Sequence, residues 1–145
     1  MSANSKLTIA VHILTFLTLM HSRGWSTITS DQVAGSVHSN AVVIRRSLGE
    51  LHRAGLVEVR RGPGAGWRLA RAPHSITLLD VYRAIGAESL FGLHHGEPNQ
   101  QCPVGRGIRP ALETVYDGVE QAARDELART TLSEMLARTL EPHGT

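Results

Sequence analysis

The spacing of apolar residues at the start of the chain predicts a helix that is buried on nearly every side. Residues 5–21 are apolar at so many positions that the predicted helix is apolar nearly all round. Such a helix must lie at the centre of a core or partly in a subunit interface. Gly24 follows as the expected C-terminal stop. The segment is shorter than the roughly 20 apolar residues of a membrane span and contains His12, so no membrane partner is predicted.

Two shorter helices, separated by a tight turn over residues 35–38, are expected next. The letters TSDQ, which begin at Thr29, form a capping-box pattern that opens the first of them. Ser39 or Asn40 can cap the second, which runs to about Ala54. Its core face is expected to be the i, i+3, i+7, i+10 stripe of Ala41, Ile44, Leu48 and Leu51.

After Gly55 the period of the hydrophobic pattern changes to two. Residues 56–60 and 67–71 alternate apolar and polar side chains, and a loop of about five residues rich in glycine and proline separates them. This pattern predicts a β-hairpin. We expect Trp67 to pack the hairpin against the core rather than to stack on a base.

The remaining pattern predicts three more helices and one long loop. Thr77 opens a helix that reaches Ile85, and residues 87–107 are an irregular loop rich in Gly, Pro, His and Asn. An amphipathic helix is expected from Ile108 to Leu127, with Leu112, Val115, Val119, Ala122 and Ala123 on one face. Thr131 caps a last helix that ends before Pro142. The predicted fold class is mainly α with a small β-hairpin, and the predicted segments are 1–86, 87–107 and 108–145.

Charge is distributed unevenly along the chain although its net value is only +2. Between residues 45 and 71 there are seven arginines and only two carboxylates, whereas from residue 111 onward seven carboxylates face three arginines. A basic middle indicates a polyanionic partner, and the acidic end indicates a different role. Solvated helix faces often carry similar runs of charge, so the asymmetry has an ordinary alternative.

The order of elements is that of a winged helix-turn-helix. In this arrangement the second helix of the pair enters the major groove of DNA. Opposite the expected core stripe, that helix carries Val42, Arg45 and Arg46. An arginine can bond O6 and N7 of guanine, and a valine can contact the methyl group of thymine. A solvated face that happens to carry two arginines is the alternative.

The glycine-rich stretch RRGPGAG, residues 60–66, has two candidate partners. A nucleotide-binding loop needs a helix N-terminus behind it and a following GK[ST] sequence. This stretch lies between two predicted strands and has neither. Glycines at a hairpin tip permit positive φ and close approach to another molecule. Arg60 and Arg61 would then lie along DNA phosphates or at the edge of a minor groove.

The segments NAVVIRRSLGELHRAGLV and RRGPGAGWRLAR, followed by SITLLDVYRAI, resemble the bacterial winged-helix repressors that include IscR, NsrR and CymR, and above all the branch typified by YwnA. The resemblance extends from about Lys6 to Leu136. It implies a winged helix-turn-helix DNA-binding domain with a long C-terminal dimerisation helix that crosses to the partner, and a homodimer on a roughly palindromic DNA operator. The residues that match the recognition helix are Ser39, Asn40, Val42, Val43, Arg45 and Arg46, and those that match the wing are Arg60, Arg61, Gly62, Pro63, Gly64 and Gly66, with Ala65 where many members have glycine.

Cys102 is the only cysteine, which excludes an internal disulfide and an all-cysteine metal site within one chain. Members of the family that sense through an iron–sulfur cluster carry three cysteines in this loop. If the long helix begins near Gly105, its dipole and Arg106 would favour a thiolate, and members of the YwnA-like branch have a cysteine here. Cys102 is therefore a candidate redox sensor, and a buried, inert cysteine is the equal alternative.

Other functions for this loop stay open at the level of the sequence. His94 and His95 with Cys102 could form a soft metal site, but their spacing is not a known ligand frame, and the signal could also be a small ligand. A thiol-dependent redox enzyme would lack a resolving cysteine in the same chain. We expect no catalytic residues, no metal and no cofactor. Because the chain shows no signal peptide, we expect a cytoplasmic location.

Overall fold

A computed structural model describes residues 3–86 and 89–144. Residues 87 and 88, at the start of the predicted loop 87–107, lie outside the described residues. The order of elements confirms the mainly α fold class with one hairpin. The elements are α1 (Ala3–Ser22), α2 (Ser30–Val37), α3 (Ala41–Arg53), β1 (Val57–Arg60), β2 (Gly66–Leu69), a 3₁₀ turn (Pro73–Ser75), α4 (Leu78–Ala84), α5 (Pro103–Ala128) and α6 (Leu132–Leu140).

The first helix lies at the centre of the core, one of the two predicted positions, although Ser5, Thr8 and His12 leave one side of it exposed. It packs against α2, α3, α4, α6 and β2. Ile13, Leu14 and Leu17 are fully buried. The buried hydroxyl of Thr18 donates to the carbonyl of Leu14 at 2.8 Å, so this polar group is satisfied within the helix. No helix in the described ranges is long and apolar enough to cross a membrane.

Side-chain caps determine where α2 and α3 begin. The Thr29 hydroxyl accepts from the backbone N–H of Gln32 at 3.1 Å, and the Gln32 side chain accepts from the N–H of Thr29 at 2.8 Å, which confirms the capping box. The turn predicted over residues 35–38 is wrong, because α2 continues through Val37 and only His38 adopts a left-handed conformation, with φ of 58°. Asn40, rather than Ser39, caps α3.

The core face of α3 differs from the predicted stripe at one end. Ile44, Ser47, Leu48 and Leu51 are buried, whereas Ala41 is exposed. Ala41 is the first residue of α3 after the Asn40 cap, and this first turn extends beyond the core. Ser47 takes part in the packing and lines a small cavity with Lys6 and Ile9 of α1. Its hydroxyl is buried without a hydrogen-bond partner among the described residues.

The hairpin has the predicted two strands and five-residue loop. Val57 pairs with Leu69, and Val59 pairs with Trp67, in antiparallel register. Ile28, in the segment between α1 and α2, adds an isolated bridge to Trp67, with N–O distances of 2.9 and 2.7 Å. Trp67 packs against the buried core, which confirms its structural role.

The long C-terminal helix starts earlier than the sequence pattern predicts. α5 begins at Pro103, five residues before the predicted Ile108, because the fixed φ of proline suits the first helical position. α6 packs on α1, with Leu132 fully buried. By their internal contacts, the residues divide into one unit of Met1–Ala87 with Leu127–Thr145 and a second of Glu88–Glu126.

Candidate nucleic-acid interface

The outward face of α3 carries the side chains that the sequence nominated for base contact. Val42 is 57% exposed although it is a large apolar residue. Arg45 and Arg46 are exposed beside it, on the side opposite Ile44 and Leu48. The core packing of α3 does not use these three side chains, so they are available to a partner.

The other residues nominated on this helix have more specific positions. The Asn40 side-chain oxygen accepts from the N–H of Val43 at 2.9 Å, so that oxygen is occupied by the helix cap. Val43 is half-buried and lines the small cavity beside α1 together with Arg46. Ser39 is half-buried. Asn40 therefore has a structural role whether or not its amide N–H groups contact DNA.

The wing tip is exposed, but Gly66 at its base is required by packing within the protein. Arg60, Arg61 and Gly62 through Gly64 are exposed. At Gly66, with φ of 156°, a Cβ would lie 2.9 Å from the Ile28 carbonyl oxygen, so the bridge to Ile28 requires glycine there. Ala65 does not need glycine, because His38 is the only non-glycine residue with positive φ in the described ranges.

The segment between α1 and α2 holds the wing in place. The Thr27 hydroxyl donates to the carbonyl of Gly64 at 3.0 Å. The N–H of Leu69 donates to Nε2 of His21 at 3.1 Å, and Nδ1 of His21 donates to the carbonyl of Trp25 at 2.7 Å. The sequence pattern does not indicate Thr27 or His21, because their wing partners lie 37 and 48 positions away, beyond any local pattern.

Most of the basic charge in this region is not neutralised by the protein. Arg68 pairs with Glu58 at 2.9 Å, and Arg71 lies 3.8 Å from Asp80. Within the described part of the chain, no salt bridge is formed by Arg45, Arg46, Arg53, Arg60 or Arg61. Unpaired arginines on a helix face and at a hairpin tip form a surface complementary to a polyanion.

Cys102 belongs to the second unit and directly precedes α5. Its backbone N–H donates to the carbonyl of Asn99 at 3.2 Å, and its carbonyl accepts from the N–H of Arg106 at 3.0 Å. A side chain at Gly105 would overlap the same Asn99 carbonyl, so the loop closes tightly on the start of the helix. Cys102 itself is half-buried.

The loop histidines do not join Cys102 in a metal site. The Arg109 guanidinium donates to the carbonyls of His94 and Gly96. No group of three His, Cys, Asp or Glu side chains in residues 3–86 and 89–144 is arranged to hold a metal ion.

α5 has an apolar face with no covering partner in the described structure. None of its 26 residues is buried. Val104, Val115 and Val119 are 67, 59 and 40% exposed. Phe91 stacks on Tyr116 with ring centroids 5.0 Å apart, which covers another side of the same helix.

Comparison with known proteins assigns a family to this architecture. Residues 3–138 match the family described as "Rrf2: Iron-dependent Transcriptional regulator". The chain is 38% identical over 135 residues to YwnA of Bacillus subtilis strain 168, named an HTH-type transcriptional regulator, and the match covers 92% of this chain and 96% of YwnA. It is 25% identical over 142 residues to the HTH-type transcriptional regulator IscR of Cereibacter sphaeroides, covering 98% and 91%.

A solved structure supports the same fold. CymR, described as the global cysteine regulator of B. subtilis, superposes with a TM-score of 0.69 at 22% identity, covering 92% of this chain and 94% of CymR. The resemblance inferred from the recognition helix and wing is thereby confirmed.

The iron in the family description does not fit the donor set of this chain. An iron–sulfur cluster is held by several cysteine thiolates, and the chain contains one cysteine, Cys102. The histidines nearest to it in sequence are not grouped with it in a three-ligand site within the described residues. We therefore derive no function through iron.

The fold, the unpaired basic surface and the family matches all indicate a DNA-binding protein. Relatives over nearly the whole length are named transcriptional regulators, not enzymes. The hairpin and the α2–α3 pair form the winged helix-turn-helix that such regulators use to bind DNA. The chain is a member of the Rrf2 family of DNA-binding transcriptional regulators.

Proposed function

We propose that this protein is a repressor that binds a roughly palindromic operator as a homodimer, with α3 in the major groove and the wing along the adjacent backbone. The observation that carries the proposal is the exposed face of α3. It holds Val42, Arg45 and Arg46 on the side opposite buried Ile44 and Leu48. Since its target is chromosomal DNA, the proposal locates the protein in the cytoplasm.

The chemistry of the α3 face suits base contact. The major groove is about 12 Å wide and admits an α-helix. Arg45 and Arg46 lie in the first half of α3 and make no salt bridge in the described structure, so each guanidinium is free to donate two hydrogen bonds to guanine. Val42, one turn earlier, offers a methyl surface to thymine.

The wing supplies contacts that do not depend on sequence. Arg60 and Arg61 are exposed and unpaired in the described ranges. Gly62, Pro63 and Gly64 place little bulk around them, so the hairpin tip can approach phosphates or a minor groove closely. Gly66 contributes by fixing the wing on Ile28 rather than by touching DNA.

The dimer is proposed to form through α5. Its exposed valines form an apolar face that a second copy of the same helix can cover, and twofold symmetry makes such a contact self-complementary. Two copies then present two α3 helices to half-sites separated by about one turn of DNA, roughly 34 Å.

Selection of bound sequences from genomic DNA tests the DNA-binding proposal. We expect enrichment of an inverted repeat, and titrations with increasing salt should show a steep loss of affinity as counterions are released. Sedimentation should give a complex of two chains per operator. Recovery of no sequence above random DNA, or a complex of one chain per site, would overturn it.

A redox signal at Cys102 is the second part of the proposal. The position of Cys102 favours it: the residue lies where the tight loop meets the first turn of α5. The thiolate would attack a peroxide, forming an S–O bond, breaking the O–O bond and releasing hydroxide, so that sulfur is oxidised and the peroxide reduced. The added oxygen would disturb this junction and lower operator affinity.

Peroxide treatment of wild type and Cys102→Ser, followed by operator titration and intact mass measurement, tests the redox proposal. We expect a mass gain of one oxygen and weaker binding in wild type alone. A response that persists in Cys102→Ser removes Cys102 from the mechanism. A response only to added Zn²⁺, lost when His94 and His95 are replaced, would favour the metal alternative instead.

A further inference from the structure

Two grooves meet beside the wing, on the segment between α1 and α2. One encloses about 570 Å³ and is lined by Arg23, Trp25 and Gln32. The other encloses about 600 Å³ and is lined by His52, Arg60 and Arg61. Thr29 and Ala65 line both. The two grooves are therefore neighbours, and the pair, the channel, extends from the wing tip to the α1–α2 loop, residues 23–27.

The channel is basic at both ends. Arg23, Arg60 and Arg61 make no salt bridge in the described part of the chain. No carboxylate lines either groove, and Asp31, in the first turn of α2, is exposed but not among the lining residues. Charge complementarity therefore indicates an extended polyanion as the occupant.

The α1–α2 loop presents a large aromatic side chain from a fixed backbone. Trp25 is 51% exposed. The backbone N–H of Trp25 donates to the carbonyl of Met20 at 3.0 Å, and the backbone carbonyl of Trp25 accepts from Nδ1 of His21 at 2.7 Å. An exposed indole on a restrained backbone offers a flat apolar surface at low entropic cost.

We propose that the α1–α2 loop is a second DNA-contact element, which binds the sugar–phosphate backbone flanking the operator half-site. Arg23 bonds a phosphate, and the Trp25 ring packs against the neighbouring deoxyribose. The inference rests on the proposed function, because the DNA path past the wing is what brings the flanking backbone into the channel. It extends the contact beyond the recognition helix and wing.

Varying the length of the DNA duplex tests whether the α1–α2 loop binds flanking DNA. The affinity of the wild-type protein is measured for the minimal selected operator and for the same operator with flanking duplex added at both ends. We expect the flanks to increase affinity regardless of their sequence. In Arg23→Gln this gain should disappear, and the salt slope on the long duplex should fall by about one per subunit.

The matched control is Arg83→Gln, which removes an exposed arginine of α4 that lines neither groove. It should retain the full gain from flanking DNA. If Arg23→Gln also retains the gain, or if flanks add nothing to the wild-type affinity, the inference is wrong while operator binding stands. If the wild-type protein binds no operator at all, the proposed function fails and the inference fails with it.

Trp25 gives an independent measurement. The difference in acrylamide quenching between wild type and Trp25→Phe isolates its fluorescence from that of Trp67. The long duplex should protect Trp25, whereas the minimal operator should leave it accessible. Equal quenching with both duplexes, or protection by protein concentration alone without DNA, overturns the assignment to flanking DNA.

Discussion

α3 and α5 are both amphipathic helices, but they expose opposite chemistry. α3 buries four residues in the core and presents arginines outward. α5 is twice as long, with 26 residues against 13, yet buries none and leaves Val115 and Val119 exposed. A charged outer face is stable in water and suits a polyanion, whereas an apolar one is stable only when another protein surface covers it. This difference supports the proposal that α3 contacts DNA and that α5 contacts a second subunit.

The largest expected effect comes from placing charge on the α5 face. Val115→Asp with Val119→Asp should convert the dimer to a monomer, because two carboxylates per chain would face each other across the interface. Loss of the second DNA-binding module should weaken operator binding roughly 100- to 10,000-fold. Analytical ultracentrifugation and fluorescence anisotropy measure the two effects.

The control for that variant adds the same charges to another side of the helix. Thr114→Asp with Gln121→Asp places two carboxylates about one seven-residue repeat apart, well away from the valine face. It should remain dimeric. Dissociation of both variants alike would mean that total charge, not the valine face, matters.

Replacement of Arg45 tests the α3 side of the comparison. Arg45→Ala should cost roughly 1–3 kcal/mol at the operator and blur the preference at one base pair of each half-site. Arg45→Lys should keep the affinity for random DNA but lose the preference, since lysine retains the charge without the bidentate geometry. Competition binding against single-base operator variants checks this; unchanged preference in both variants would remove Arg45 from base contact.

A smaller and uniform effect is expected from the wing. Arg61→Ala should weaken binding to all sequences alike and lower the salt slope by about one per subunit. Arg68→Ala is the matched control on the same hairpin, because Glu58 already pairs with Arg68 at 2.9 Å. It should change the salt slope less. A sequence-dependent loss in Arg61→Ala would contradict a pure backbone contact.

The smallest effect is expected from replacing Asn40 at the start of α3, where two variants distinguish a loss of stability from a loss of DNA binding. Asn40→Ala removes the acceptor for the Val43 N–H and should lower the free energy of unfolding by about 0.5–2 kcal/mol. Asn40→Ser restores a capping oxygen and should restore stability in thermal unfolding. If Asn40→Ser is stable but binds the operator as weakly as Asn40→Ala, Asn40 also contacts DNA through its amide.

The sequence predicted those features that neighbouring residues determine. The Thr29–Gln32 capping box is a contact over three positions, and the alternation around residues 61–65 specifies the hairpin. The same local pattern placed the start of α5 at Ile108, whereas the helix begins at Pro103, whose fixed φ suits a first helical position.

Features that depend on distant contacts could not be derived in this way. Gly66 is one of three glycines at alternate positions in the wing, yet among these three it alone lies under the Ile28 carbonyl. The packing of α6 on α1 joins residues from the two ends of the chain. Neither contact has a local period, so the hydrophobic pattern of the sequence predicted neither of them.

The hydrogen bond from Thr27 to Gly64 has a consequence for the entropy of binding. A free hairpin tip samples many conformations and loses them when it settles on DNA. Here the tip is already held at one point by Thr27 and at its base by the bridge between Ile28 and Trp67. Part of the ordering that the proposed DNA contact requires is therefore completed when the chain folds, and the wing is a preorganised surface.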